Sequence, residues 1–214
     1  MIGVLGGTFD PIHYGHLRPA HEVCRRLALE VLHVVPASIP PHRPPPLAAP
    51  EQRLRMVALA VPEFPPLAAD DREIRRGGIS YTAPTLESLR AEIGAETPLC
   101  FVLGSDAFAG LPAWHRWQEI FDLAHLVVMR RPGASMHEAD SVPLWAAGRL
   151  CRGAEELASR PAGGVLYLTV TPLDIAATRL REQIARGQTP DPGQLPPAVW
   201  DYIRANRIYR RSGA

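Results

Sequence analysis

Lysine is missing from this chain: all 23 basic residues are arginine. That absence removes whole classes of chemistry. A Walker-type phosphate loop needs its lysine, and Schiff-base or pyridoxal-phosphate catalysis needs a lysine amine. Any anion bound here is held by arginine, histidine, backbone N–H groups or a helix end. Cysteine is scarce as well. Cys24, Cys100 and Cys151 are far apart and odd in number, which argues against a disulfide framework or a cysteine zinc cluster and for a reducing cytoplasm. Charge of one sign is nearly balanced by the other. A formal net charge of +1 gives no bulk electrostatic case for nucleic acid as a partner. No apolar run approaches a membrane span. Met1 leads straight into the apolar Ile2–Leu5 without a basic stretch, so no secretory leader is expected. The oligomeric state is left open.

What is present describes a globular α/β chain. With 214 residues, 46% hydrophobic and 21% charged, there is enough apolar material for one ordinary domain with a full core. Ile2–Leu5 reads as a buried strand. Leu17, Ala20, Cys24, Leu27 and Ala28 recur at helical spacing, and Val31–Val35 is a second β-branched run. Strand, helix and strand make a βαβ unit, the building block of parallel sheets. Residues 36–50 hold PASIPPHRPPPLAAP, too proline-rich for a helix and long for a loop, which marks it as functional or disordered. Helices are expected at 51–60, 82–93, 178–186 and 197–205, and strands at 99–103, 126–129 and 165–170. The predicted architecture is a Rossmann-like, doubly wound parallel sheet with helices on both faces. It forms a single domain over 1–214 whose C-terminal part, about 176–209, is helical. Ligands of such sheets bind beyond the carboxyl ends of the strands. Gly6-Gly7-Thr8, Gly104-Ser105-Asp106 and Arg130-Arg131 all stand at strand ends of this kind.

The stretch GGTFDPIHYGH, residues 6–16, is the most specific feature. Glycine after a strand lets backbone approach a ligand closely. Thr8 and the following N–H groups can donate to phosphate oxygens, and His16 is placed at the start of a helix, whose dipole favours an anion. His13 and His16 add donors that can carry positive charge. The pattern lacks the third glycine of the dinucleotide fingerprint. It points to a triphosphate and to charge that develops as the triphosphate is cleaved. The competing explanation is zinc held by His13 and His16 with His21 or His33, although no cysteine is near. A second feature agrees with phosphate chemistry. In DIAATRLR, 174–181, Arg179 and Arg181 are expected in the first helical turn, where each costs about 0.3–1 kcal/mol against the dipole. A bound anion reverses that sign. Arg181 lies one turn from Thr178, so the two can share a ligand.

These residues resemble the nucleotidylyltransferase superfamily. Its HxGH element is His13-Tyr14-Gly15-His16 here, and its second pattern looks like Ala176-Ala177-Thr178-Arg179-Leu180-Arg181. Within the superfamily the chain is similar to the bacterial nicotinate-nucleotide adenylyltransferases. Pro40-Pro41-His42-Arg43, Ser80 to Leu86, Gly104-Ser105-Asp106 with Trp114, Arg130 to Gly133 and the closing Ile208-Tyr209 carry that likeness, which runs essentially end to end. The resemblance implies adenylyl transfer from ATP to nicotinate mononucleotide, with Mg²⁺, giving deamido-NAD and pyrophosphate. It implies catalytic roles for His13, His16 and Arg181. It implies ATP contacts from Gly6, Gly7, Thr8, Phe9, Asp106, Arg130, Arg131 and Thr178. The mononucleotide is assigned to Arg43, Thr82, Ala83, Thr85, Trp114 and His115. No protein residue is assigned as a metal ligand. Two positions depart from the pattern: Ala176 stands where serine is usual, and His115 where tyrosine is frequent. The second bears on preference for the acid over the amide. Alternatives are an enzyme that also uses, or prefers, nicotinamide mononucleotide, and a nucleotide-sensing protein without turnover.

Overall fold

A computed structural model describes residues 1–41, 44–130 and 143–210. The chain opens with β1 (Ile2–Gly7), α1 (Tyr14–Leu27), β2 (Val31–Pro36), α2 (Pro50–Ala60) and β3 (Leu67–Ala69). Next come α3 (Arg72–Arg76), α4 (Thr82–Ile93), β4 (Leu99–Gly104), α5 (Ser105–Ala109), α6 (Ile120–Leu123) and β5 (His125–Arg130). The last third holds α7 (Leu144–Ala147), α8 (Ala154–Ala158), β6 (Val165–Thr169), α9 (Ala177–Ala185) and α10 (Pro197–Ala205). Three prolines sit where the helices can use them, while Pro19 lies inside α1. Pro50 and Pro197 are first residues, and Pro84 lies in the first turn of α4, where an N–H has no intrahelical partner.

The six strands form one sheet, all parallel, in the order 3-2-1-4-5-6. Being covered on both faces, its strands are almost continuously apolar. Successive residues still alternate between the faces. On β4, Leu99, Phe101 and Leu103 enter one cluster while Cys100 and Val102 enter the other. The cluster that holds Cys100 and Val102 is completed by α1, α2, α9 and α10 through Leu17, Met56, Leu180, Val199 and Ile203. The other is completed by α4, α5 and α6 through Leu86, Phe108 and Ile120. Helices therefore cover both faces, as expected.

β1 sits at the centre with β2 on one side and β4 on the other. The winding direction reverses between β1 and β4. Such a switch point opens a crevice outside the carboxyl ends of the strands, here between Gly6-Gly7 and Gly104. Some boundaries differ from the sequence expectation. β1 runs two residues further, so Gly6 and Gly7 end the strand rather than follow it. Helix α1 begins at Tyr14, which makes His13 its N-cap residue and places His16 inside the first turn. Helix α9 begins at Ala177, so Arg179 lies in the first turn and Arg181 just beyond it.

Candidate active site

The β1–α1 connection is shaped by three contacts. The Phe9 ring folds over Gly7, so a Cβ on Gly7 would lie 2.7 Å from it. Phe9 pays for this with a left-handed backbone (φ 49°) and is buried. The His13 and His16 rings stack at 3.8 Å, 23° from parallel, and the Phe9 ring meets His16 edge-on at 5.3 Å. Gly15 lies between the two histidines for a steric reason. A Cβ there would be 2.9 Å from His13 Nδ1 and 3.3 Å from Ile175 Cβ. The glycine lets the His13 imidazole lie against the start of α1.

The two imidazoles are not equivalent. His13 is only 4% exposed, and burial, then the neighbouring His16, pushes it down to about 2. It is neutral at physiological pH without a ligand, so of the two rings His13 is the one burial keeps uncharged. His13 Nδ1 is buried without a hydrogen-bond partner. His16 is half-buried, and its Nδ1 accepts from the His13 backbone N–H at 3.4 Å. In neutral His16 the proton then resides on Nε2, which makes that nitrogen the donor.

Asp10 ties the turn together from within. Its Oδ1 accepts from the Tyr209 hydroxyl (2.7 Å) and the Ala48 N–H (3.1 Å), and its Oδ2 from the Leu47 N–H (2.9 Å). Its backbone oxygen accepts from Arg181 Nη1 at 2.7 Å. Arg181 also donates to Thr178 Oγ1 at 3.1 Å, so the two side chains lie side by side. Arg179 turns elsewhere, onto the exposed Asp174. Sequence reasoning missed the most buried charged group of this region. Arg53, on α2, is 0% exposed and donates to the carbonyls of Thr8 (2.9 Å), Ser38 (2.9 Å), Ala48 (3.2 Å) and Ala37. Each of these partners is main chain. The fork geometry of guanidinium suits this task. The signal was present: Arg53, Met56, Val57 and Ala60 are spaced i, i+3, i+4, i+7, so the arginine lies on the apolar stripe of its helix.

The other predicted residues distribute as follows. Gly6 and Thr8 line the end of β1, and Ala37 N–H donates to Gly7 O at 2.9 Å. Asp106 is exposed in the first turn of α5, whose N-cap is Gly104, so Asp106 is not a cap. The Arg130 guanidinium stacks 3.6 Å over the Tyr167 ring at the end of β5. Arg43 and Arg131 lie outside the described residues. Thr82 starts α4, while Ala83 is fully buried in the core. Thr85 is buried and donates to Glu73 and to Tyr81 O (3.2 Å), and it accepts from Arg76 at 3.1 Å. The His115 and Tyr81 rings lie 4.4 Å apart. Trp114 meets Phe101 edge-on at 6.1 Å. Phe101 in turn lies 3.9 Å from where a Gly6 Cβ would stand. The end of β1 and Trp114 thus meet the same Phe101 ring. The flanks of the proline-rich loop are held at both ends, by Asp10 and Arg53 and by Ser38 N–H donating to Ser80 Oγ at 2.8 Å.

The zinc explanation finds no third ligand. His21 packs edge-on against Phe64 at 5.7 Å, and His33 Nδ1 pairs with Asp70 at 3.0 Å. Among the described residues no three His, Cys, Asp or Glu converge as a metal site. No helix among them is long and apolar enough to cross a membrane.

Comparison with known proteins fits this geometry. A family model described as cytidylyltransferase-like matches residues 4–183. The "Probable nicotinate-nucleotide adenylyltransferase" of Marinobacter nauticus is 50% identical over 206 residues, 96% of this chain and 95% of its own. That of Methylococcus capsulatus is 45% identical over 212 residues, 99% of this chain and 100% of its own. Among solved structures, the Plasmodium falciparum nicotinic acid mononucleotide adenylyltransferase complexed with NaAD shares the fold, at TM-score 0.71 and 16% identity. That match covers 97% of this chain and 96% of the other.

Proposed function

The chain belongs to the cytidylyltransferase-like family and, within it, to the nicotinate-nucleotide adenylyltransferases; from that premise we propose how its residues carry the reaction. It transfers the adenylyl group of ATP to nicotinate mononucleotide, making deamido-NAD for NAD biosynthesis. The observation that carries the mechanism is the stacked His13–His16 pair at the β1–β4 switch point, with Arg181 tethered to the same turn.

The nucleophile is a phosphate monoester, largely dianionic at pH 7. It needs no general base and no covalent enzyme intermediate. Catalysis reduces to holding two anions in line and stabilising charge on the α-phosphate and departing pyrophosphate. His16 Nε2–H supplies one donor. The start of α1 adds the Gly15 N–H, those of Tyr14, His16 and Leu17 being used within the fold, and α9 presents Thr178 and Arg181 to the β- and γ-phosphates. His13 stacks beneath His16 and lends Nδ1 or Nε2 to the same anion. Gly6, Gly7, Thr8 and Phe9 form the floor, and Asp106 and Arg130 serve the ribose and adenine, a role also proposed for Arg131. Arg43, Thr82, Ala83, Thr85, Trp114 and His115 serve the mononucleotide, Ala83 and Thr85 through main-chain groups because their side chains are buried.

Mg²⁺ accompanies the triphosphate. The donor set fits an ion that arrives with its substrate: Asp10, the carboxylate nearest the turn, has both oxygens occupied by hydrogen bonds. Phosphate oxygens and water supply the ligation, the usual habit of this ion, and the metal contributes charge neutralisation. The reaction belongs in the cytoplasm, where buried thiols such as Cys24, Cys100 and Cys151 stay reduced.

The test is pyrophosphate release with ATP and Mg²⁺, comparing nicotinate with nicotinamide mononucleotide. Preference for the acid is expected. His16→Ala should cost about 10²–10³ in kcat, the scale of removing one transition-state donor. Equal use of both substrates would establish dual specificity and make His115 the residue to exchange. No release with either would favour a nucleotide-sensing protein.

A further inference from the structure

The far end of the chain reaches into the phosphate turn. Helix α10 ends in a Schellman motif. Ile208 N–H donates to Ile203 O at 3.0 Å, and Arg207 N–H to Arg204 O at 3.3 Å. Ile208 and Ile203 are both buried in the core on that face. The position between them that usually takes glycine is Arg207, with φ 53°. Tyr209 follows, also left-handed at φ 67°. Two non-glycine residues in that region within three positions persist only where their surroundings over-determine them. The result is to turn the Tyr209 ring inward, where it is 9% exposed and its hydroxyl donates to Asp10 Oδ1 at 2.7 Å. Burial, reinforced by the Asp10 carboxylate, raises the Tyr209 hydroxyl well above its ordinary value, so it remains a donor.

We propose that Tyr209 is a positioning residue for adenylyl transfer: through Asp10 it fixes the turn that carries His13 and His16 against Arg181 and the flank of the proline-rich loop. Asp10 has one carboxylate for three donors, the Tyr209 hydroxyl and the Leu47 and Ala48 N–H groups. Without the hydroxyl, Asp10 keeps the Leu47 and Ala48 N–H groups but loses the contact that ties the turn to the segment after α10. Asp10 is thus joined to the flank of the proline-rich loop through its carboxylate and to Arg181 through its carbonyl, and Tyr209 braces that junction from the far end of the chain. The reading rests on the reaction proposed above.

The experiment compares wild type, Tyr209→Phe, Asp10→Asn and the double variant in pyrophosphate release. Both substrates are saturating, at a temperature where circular dichroism shows each protein folded. Tyr202→Phe, on α10 and packed on the same cluster, is the control. Tyr209→Phe keeps the ring and is expected to lower kcat about tenfold or more, the cost of a small misplacement at the reacting centre, while Tyr202→Phe changes little. The double variant should be no slower than Asp10→Asn. A Tyr209→Phe protein with a lowered melting temperature but wild-type kcat overturns the proposal, as do losses that multiply in the double variant. If Asp10→Asn does not fold, Tyr209→Phe against its control still decides. An inactive wild type would instead count against the adenylyltransferase reading itself.

Discussion

A buried histidine that is neutral when folded makes stability depend on pH in a fixed direction. His13 is held down at about 2, while in the unfolded chain it titrates near 6.5. Between those values the unfolded state binds the extra proton, so stability rises with pH across the window. It is fully present above about pH 6.5 and is lost, by up to about 1.4 kcal/mol per pH unit from this residue alone, as the pH falls. Urea midpoints measured at pH 7, 6 and 5 should therefore fall more steeply for the wild type than for His13→Asn. Parallel lines would show that His13 is protonated in the fold. The histidine pair was legible in the sequence because its spacing is tied to a glycine and a strand end. Its division of labour was not, because the difference is burial, and residues 13 and 16 look alike until α1 is placed on the sheet.

The elements carrying the site were legible to the degree that their apolar pattern was long. Helices α4 and α10 match their expected bounds, 82–93 and 197–205, and each strand expected from an apolar run is present. Strand β3 was not foreseen. Three residues, Leu67–Ala69, preceded by prolines, give no periodicity, and it is its pairing with β2 that makes them a strand. Helix α2 was foreseen but its purpose was not, since an arginine in a helix reads as a solvated side chain. Arg53→Met tests that purpose. Four buried carbonyls would lose their donor, each unmet acceptor costing about 1–3 kcal/mol, offset in part by the relief of a buried charge. A drop in melting temperature of several degrees, roughly 2–4 °C per kcal/mol for a chain of this size, is expected, together with a higher KM for ATP because Thr8 is released. A drop in melting temperature with KM unchanged would confine Arg53 to stability.

At the scale of the molecule, both hydrophobic clusters share the strands β1, β2, β4, β5 and β6, and the C-terminal helices pack on the same cluster as α1 and α2. A core divided only by the sheet that both halves need should melt as one unit. Far-UV circular dichroism and tryptophan fluorescence are expected to give coincident transitions, with calorimetric and van't Hoff enthalpies equal. Separate transitions would make the part from about residue 176 a domain of its own. The shared sheet also imposes an order in time. In synthesis β1 lacks its β4 neighbour until residue 104 is made, and Asp10 lacks Tyr209 until residue 209 is made. At about 5–20 residues per second, the catalytic turn waits roughly ten to forty seconds for its last hydrogen bond. Until then the turn that carries His13 and His16 lacks one of the three donors to Asp10.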